Sequence, residues 1–214
     1  MKLTLYYAPI ACSLVPMITL NEAGAGFDIV PVNFRKAQQM TPEYLKLNPK
    51  HKVPVLVIDG EPLTENVAIQ MWIARAFPQA RLLPADPSKE IKAISFMAWC
   101  ASGIHPHLSR INSPVKFCDV PGSEESVRRL AGAEVLHNLA IADEMLAGRE
   151  WLFEHFTAPD AYFFWIWRRA GQFNLDRSAF GHCAAHAERM MQRSSVQKVL
   201  AYEKQVQAEF AKAA

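Results

Sequence analysis

A cysteine close to the start of the chain has the setting of a reactive thiol. Residues 3–7 form an apolar run typical of a β-strand, and Pro9 marks a turn before Cys12 and Ser13. A helix is predicted over residues 13–22, and the first N–H groups of a helix favour negative charge. We therefore expect a stabilised thiolate, which makes Cys12 a candidate nucleophile. The alternative is a small buried apolar residue, the usual role of a free cysteine.

A second group of candidates has the features of a binding site for a short charged peptide. Val53-Pro54 precedes a predicted strand, and the pair predicts a turn with a cis peptide bond. Such a turn exposes the N–H and C=O of Val53, which can pair with an extended peptide. Glu65 lies beside a helix start at Asn66, where free N–H groups suit a carboxylate. The alternative is that Thr64, Glu65 and Asn66 only cap the helix.

The composition is that of a globular protein without a nucleic-acid or membrane partner. The 214 residues are 50% hydrophobic and 21% charged, with a net charge of +2 and no dense Lys/Arg cluster. The apolar run over residues 161–167 is too short to span a bilayer. The four cysteines, Cys12, Cys100, Cys118 and Cys183, form no CxxC pair. Without a secretory signal they predict reduced thiols in a cytoplasmic protein.

The first third of the chain alternates strand and helix patterns. Strands are predicted over residues 3–7, 28–32, 55–58 and 61–63, with Asp59-Gly60 as a tight hairpin turn between the last two. Helices are predicted over residues 13–22 and from Asn66, which is a good N-cap residue. This order predicts an α/β domain over residues 1–77, in which a mixed four-stranded sheet packs against helices.

The rest of the chain has no strand pattern. Prolines within residues 78–87 predict a linker, and residues 88–214 predict an all-helical domain. Helical patterns cover residues 89–111, 124–147, 182–193 and 195–211, with a further helix from Ala158. Thr157 and Asp160 have the spacing of a capping box at its start. Because residues 162–167 are apolar on all sides, we expect this helix to be the core of the second domain.

Four segments occur in an order and spacing that resemble one enzyme family. They are residues 7–13 (YAPIACS), 48–56 (NPKHKVPVL), 63–69 (LTENVAI) and 156–162 (FTAPDAY). Together they resemble the cytosolic glutathione transferases, most closely the bacterial beta class, over essentially the whole chain. The resemblance implies a thioredoxin-like first domain that binds glutathione as co-substrate. It also implies a helical second domain that forms an apolar pocket for a small hydrophobic electrophile, and a homodimer.

The resemblance gives catalytic roles to four residues. In the beta class, the cysteine matching Cys12 lies beside the glutathione sulfur and forms a mixed disulfide with it. A histidine matching His105 approaches the same sulfur, where it could stabilise a thiolate or accept its proton. Ser13 and Tyr7 match residues that activate the thiol in other classes. His105 also fits a buried structural histidine, and its spacing from His107 does not predict a metal site.

The resemblance also assigns glutathione-binding roles. Val53-Pro54 and Glu65-Asn66 match the turns that hold the tripeptide, and Glu65 supplies a carboxylate for its ammonium. Candidates for the glycyl carboxylate are Arg35, Lys36 and Lys52. Two positions depart from the family pattern: Asn66 replaces the usual Ser or Gly, and Ala98 replaces an asparagine that reaches glutathione across the dimer.

The expected activity is conjugation of the glutathione thiolate to small apolar electrophiles. A second enzymatic alternative is thiol-disulfide exchange or reductive dehalogenation through a mixed disulfide of Cys12. A third alternative is a weakly catalytic stress or interaction protein with the same fold, for which Asn66 and Ala98 leave room.

Overall fold

The four predicted strands pair into one mixed sheet, in which the first strand lies between the second and the third and the fourth pairs with the third. β1 (Leu3–Tyr7) runs parallel to β2 (Asp28–Pro31) and antiparallel to β3 (Val55–Ile58), which returns as β4 (Glu61–Thr64). The hairpin turn is Asp59-Gly60, where the φ angles are 49° and 100°, as a tight turn between twisted strands requires. The predicted sheet is therefore confirmed.

The computed structural model describes residues 1–212. Its helices are, in chain order, α1 (Leu14–Glu22), α2 (Pro42–Leu47), α3 (Asn66–Ala76), α4 (Pro87–Trp99), α5 (His105–Asn112), α6 (Glu124–Leu146), α7 (Ala158–Ala170), α8 (Gly181–Gln192) and α9 (Ser194–Lys212). Short 3-10 turns cover Phe34–Lys36, Gln38–Met40, Pro78–Ala80 and Pro114–Lys116. Within these residues, no helix combines the length and hydropathy needed to cross a membrane.

The chain divides into two compact units, and the first combines the start of the chain with its last described helix. It joins Met1–Leu83 to residues 192–212, whereas the second is Pro84–Met191. The boundary lies inside the predicted linker, but α9 belongs to the first unit and not to the helical domain predicted over residues 88–214. The physical reason is that α9 packs against α1, where it buries Val196, Val199 and Val206.

The core of the first unit holds the loops that carry the candidate residues. Leu5 of β1 and Leu56 of β3 are opposite one another and fully buried, as are Ile18 of α1 and Ile69 of α3. Since side chains alternate along a strand, the other face of β1 carries Tyr6. Its ring packs edge-on against Tyr44 of α2, with 5.8 Å between the ring centroids. β1, which leads into the loop of Cys12, is thus packed on both of its faces.

The second unit is helical, and α7 forms its centre. Every residue of α7 from Ala158 to Ile166 is buried, and the predicted capping box of Thr157 and Asp160 is present. The single helix predicted over residues 89–111 is instead α4 and α5 joined by a π-helical turn, Cys100–Ile104. Pro106 explains the difference, because proline lacks an N–H and its ring collides with the carbonyl four residues earlier in a regular helix.

Candidate functional site

Cys12 lies in the loop between β1 and α1, and its side chain is buried. α1 begins at Leu14 with Ser13 as its N-cap residue, so Cys12 precedes the helix and does not begin it. The residue is 8% exposed, and its Sγ donates a weak hydrogen bond to the carbonyl oxygen of Val53 over 3.6 Å. The thiol therefore faces the turn before β3 and not the N–H groups of α1.

The surroundings of Cys12 favour its neutral form. Burial raises the pKa of the Cys12 thiol to about 12, and the negative charge of Glu65 adds to the rise. Three weaker effects lower the pKa of the thiol but are outweighed. They are a backbone hydrogen bond, the charge of Lys52 and the carboxamide of Asn66. Burial therefore favours the protonated thiol, which is the opposite of the stabilised thiolate expected from the sequence.

Ser13 and Tyr7, the two hydroxyl candidates, have partners within the protein. Ser13 is fully buried, and its Oγ accepts a hydrogen bond from the Ala8 N–H over 3.0 Å and donates to the Ala8 carbonyl over 3.2 Å. Tyr7 is also fully buried and donates its hydroxyl to Glu203 Oε2 over 3.1 Å. Both hydroxyl groups shape the loop that carries Cys12.

Glu203 is a functional candidate that the sequence analysis missed. It lies on α9, is 4% exposed, and accepts a second hydrogen bond from the Ile10 N–H over 2.9 Å. Ile10 has a φ of 70°, a left-handed conformation that is costly for a β-branched residue and therefore needs such support. The sequence does contain an indication of this role. Glu203 lies on the same face of α9 as Val199 and Val206, where an apolar residue would be expected.

Asn66 joins the start of α3 to the cysteine loop. Its Nδ2 donates to the carbonyl oxygen of Cys12 over 2.9 Å, and Gln70 Nε2 lies 3.4 Å from its Oδ1. Asn66 is the first residue of α3, and the N-cap position predicted for it belongs to Glu65, which has a φ of 69°. The prediction failed because the Asn66 carboxamide binds the neighbouring loop and not the N–H groups of its own helix.

The turn before β3 has the predicted cis bond between Val53 and Pro54. Val53 is 7% exposed, and its carbonyl oxygen accepts a hydrogen bond from the Cys12 thiol. Lys52 precedes it, and the Lys52 carbonyl accepts hydrogen bonds from Tyr44 Oη over 2.7 Å and from Asn48 Nδ2 over 2.8 Å. These bonds fix the turn against α2.

Glu65 presents an exposed carboxylate beside this group. Its side chain is 70% exposed, and Oε1 accepts a hydrogen bond from Lys50 Nζ over 2.5 Å. Lys50 also donates to Thr64 Oγ1 over 2.8 Å. Lys50 is a second residue missed by the sequence analysis, in which no pattern set it apart from the other lysines of that turn.

Arg35 and Lys36 lie apart from the hydrogen-bonded group. They form the 3-10 turn after β2, which Asn33 caps by accepting the Arg35 N–H over 3.0 Å. Both side chains are exposed, and among residues 1–212 the structure shows no hydrogen bond from either to Cys12, Val53 or Glu65.

His105 belongs to the second unit, where it begins α5 directly after the π-helical turn. It is half-buried, and its ring packs edge-on against Trp165 of α7, with 4.5 Å between the ring centroids. Ala98, the other departure from the family pattern, is exposed on α4. The contact with Trp165 gives the imidazole a defined position.

The first unit therefore gathers Cys12, Val53, Glu65 and Asn66 into one connected group. It offers a carboxylate for a cation, the first N–H groups of α3 for an anion, and a protonated thiol. This set suits a small zwitterionic ligand that carries a reactive sulfur or electrophile.

Comparisons with known proteins agree over most of the chain. The model of the family "Glutathione S-transferase, N-terminal domain" matches residues 1–75. The glutathione S-transferase GstA of Escherichia coli O157:H7 is 34% identical over 203 residues, which are 93% of this chain and 98% of that protein. Other relatives, among them proteins of mouse and Pseudomonas aeruginosa, are named maleylacetoacetate isomerases.

Solved structures give the same result. A bacterial beta-class glutathione S-transferase of Sphingomonas chungbukensis has a TM-score of 0.82 at 33% identity, over 95% of this chain and 98% of its own. A sphingomonad glutathione S-transferase in complex with glutathione has a TM-score of 0.82 at 31% identity, over 95% of this chain and 99% of its own. With such matches over nearly its whole length, the chain belongs to the glutathione S-transferase family, as an enzyme whose co-substrate is glutathione.

Proposed function

We propose that this transferase conjugates the glutathione thiolate to small apolar electrophiles, with glutathione bound in the first unit. The observation that carries the proposal is the exposed carboxylate of Glu65 beside the start of α3 and the group of Cys12 and Val53. Glu65 binds the ammonium of the γ-glutamyl residue, and the first N–H groups of α3 bind its carboxylate. The backbone of Val53 pairs with the cysteinyl residue in the manner of an added strand.

Basic residues complete the proposed site at the other end of the tripeptide. The charge of Lys52 acts to lower the pKa of the Cys12 thiol, and Lys52 is one candidate for the glycyl carboxylate. Arg35 and Lys36 are exposed on the turn after β2 and remain candidates for the glycyl carboxylate. The tripeptide would then meet charge of opposite sign at each of its charged groups.

The proposed chemistry takes place at the sulfur of glutathione. The thiol loses its proton, and the thiolate attacks a carbon of the electrophile as the leaving group departs. His105, which matches the histidine of the family pattern, is the candidate acceptor of that proton. When glutathione binds, the Cys12 S–H turns from the Val53 carbonyl to the thiolate, and this hydrogen bond lowers the pKa of the bound glutathione. Ser13 and Tyr7 support the loop through Ala8 and Glu203.

The test is glutathione binding by isothermal titration and by thermal melting. Glutathione at 100 times its Kd should stabilise the protein by roughly 2.7 kcal/mol, seen as a rise of several degrees in Tm. Glu65→Ala should weaken binding roughly ten- to a hundredfold, because the ligand ammonium loses its charged partner. The matched control is Glu61→Ala, an exposed carboxylate on β4. A parent Tm that does not respond to millimolar glutathione would contradict the proposal.

Two further parts of the proposal concern the assembly and the reaction. We expect a homodimer, as the resemblance to the family implies; apolar side chains such as Phe34, Met40 and Ile91 are 45%, 50% and 65% exposed and available to an interface. A cytoplasmic location, expected from the reduced cysteines, stays a prediction.

The names of the isomerase relatives make a glutathione-dependent isomerisation a second activity to assay beside conjugation.

A further inference from the structure

Lys50 lies in a turn whose backbone is held independently of its side chain. The buried Asn48 accepts the Lys50 N–H through Oδ1 over 3.1 Å and donates from Nδ2 to the Lys52 carbonyl over 2.8 Å. Tyr44 donates its hydroxyl to the same carbonyl over 2.7 Å. The backbone of Lys50 is therefore held in place, and its side chain extends from there to Thr64 of β4.

The ammonium of Lys50 occupies the position that the proposed function gives to the ligand. Its Nζ donates to Glu65 Oε1 over 2.5 Å and to Thr64 Oγ1 over 2.8 Å. A carboxylate with a neighbouring hydroxyl is also a good pair of acceptors for the amino group of a γ-glutamyl residue. Two ammonium groups therefore meet at the Glu65 carboxylate, and one of them is part of the protein. Their like charges oppose each other even where each uses a different oxygen of Glu65.

The ion pair is open enough to be exchanged for a ligand. The side chains of Lys50 and Glu65 are 47% and 70% exposed, so water screens their attraction. Exposed ion pairs of this kind contribute little free energy. Removing a lysine that competes with a ligand for the same carboxylate changes the Kd of the ligand by about two- to fivefold. Lys50 can thus leave Glu65 when the ligand arrives, at a small but measurable loss of affinity.

We propose that Lys50 is a built-in competitor for the amino group of glutathione. It holds the Glu65 carboxylate before the γ-glutamyl ammonium binds, and its like charge then competes with that ammonium for the same carboxylate. Lys50 thereby lowers the affinity for ligands that carry this amino group and leaves unaffected those that lack it. The inference rests on the proposed role of Glu65 and adds a residue that sets the selectivity of the same site.

The experiment compares two ligands by isothermal titration. They are glutathione and glutaryl-cysteinyl-glycine, which keeps both carboxylates and the thiol but lacks the amino group. Lys50→Met should lower the Kd of glutathione about two- to fivefold and leave the Kd of the glutaryl peptide unchanged. In a Glu65→Ala background the same substitution should have no effect on either Kd, because the shared carboxylate is gone.

Lys46→Met, an exposed lysine at the end of α2, controls for the lost positive charge and should change neither Kd. If Lys50→Met raises the Kd of both ligands, Lys50 binds a ligand carboxylate and the competitor role is overturned. An unchanged glutathione Kd in Lys50→Met, with binding weakened by Glu65→Ala, overturns the role of Lys50 alone. An unchanged glutathione Kd in Glu65→Ala overturns the proposed ammonium site as well.

Discussion

At the scale of single residues, the protonation state of Cys12 determines which chemistry the site supports. A thiolate would attack a disulfide directly, as thiol-disulfide exchange requires. A neutral thiol instead donates a hydrogen bond to the sulfur of glutathione. Because the thiol is buried beside Val53 and near Glu65, its charged form lacks the solvation that a reactive cysteine needs. Burial therefore counts against Cys12 as the attacking nucleophile of disulfide exchange.

The protonation of Cys12 can be tested by its rate of alkylation with iodoacetamide. At pH 8 the folded chain should react at Cys12 roughly a thousand times more slowly than the chain unfolded in urea, because the pKa rises from 9.0 to about 12. The rate in the folded chain should increase about tenfold per pH unit towards pH 10. Peptide mass spectrometry on a time course gives both rates.

The matched control for this measurement is Cys12→Ala, which removes the labelled peptide and confirms its assignment. Rapid labelling of Cys12 in the folded protein at neutral pH would mean that a thiolate is present. A mixed disulfide formed with oxidised glutathione at Cys12 would then support exchange as the principal activity.

At the scale of elements, the start of α7 depends on one buried carboxylate. Asp160 is fully buried and accepts hydrogen bonds from the Thr157 N–H over 2.8 Å and the Thr157 hydroxyl over 2.9 Å. Its other oxygen accepts the Leu152 N–H over 3.0 Å and lies 3.0 Å from His186 Nε2. The carboxylate thus joins α7, the segment before it and α8 within the second unit.

Asp160→Ala should destabilise the protein by about 3–5 kcal/mol, because it leaves several buried donors without an acceptor. The measurement is the urea midpoint by circular dichroism. Asp176→Ala is the matched control, since Asp176 accepts the N–H and hydroxyl of Ser178 at an exposed site and its loss should change the midpoint little. Equal shifts in the two variants would mean that the capping box does not hold α7.

At the scale of the whole molecule, the parts predicted from the sequence are those set by local chemistry. The Asp59-Gly60 hairpin follows from the backbone freedom of those residues, and the capping box of α7 follows from its spacing. These signals each lie within four residues, so no knowledge of distant contacts is needed.

The parts that were not predicted depend on contacts between distant residues. The membership of α9 in the first unit follows from its packing on α1, almost two hundred residues earlier in the chain. The neutral Cys12 thiol and the Asn66 contact likewise depend on loops brought together by the sheet. The site residues expected from the family pattern remain predictions, and the structure adds Lys50 and Glu203 to them.

α9 and the residue before it contact both ends of the segment that carries Cys12. Arg193, just before α9, donates to both Glu22 oxygens at the end of α1, over 2.8 and 2.7 Å. Further along α9, Glu203 accepts the Tyr7 hydroxyl and the Ile10 N–H at the start of the loop. α9 therefore supports the segment that carries Cys12 on both sides.

Glu203→Ala should destabilise the protein by about 1–3 kcal/mol for each buried donor that it leaves unpaired, and it should release the left-handed Ile10. Because the Cys12 loop would then move relative to Val53, the affinity for glutathione should fall as well. Urea midpoints and titration with glutathione measure the two effects. Glu209→Ala, an exposed position on α9, is the control and should change neither. A Glu203→Ala variant with lower stability but parental affinity would show that α9 supports the fold without positioning the site.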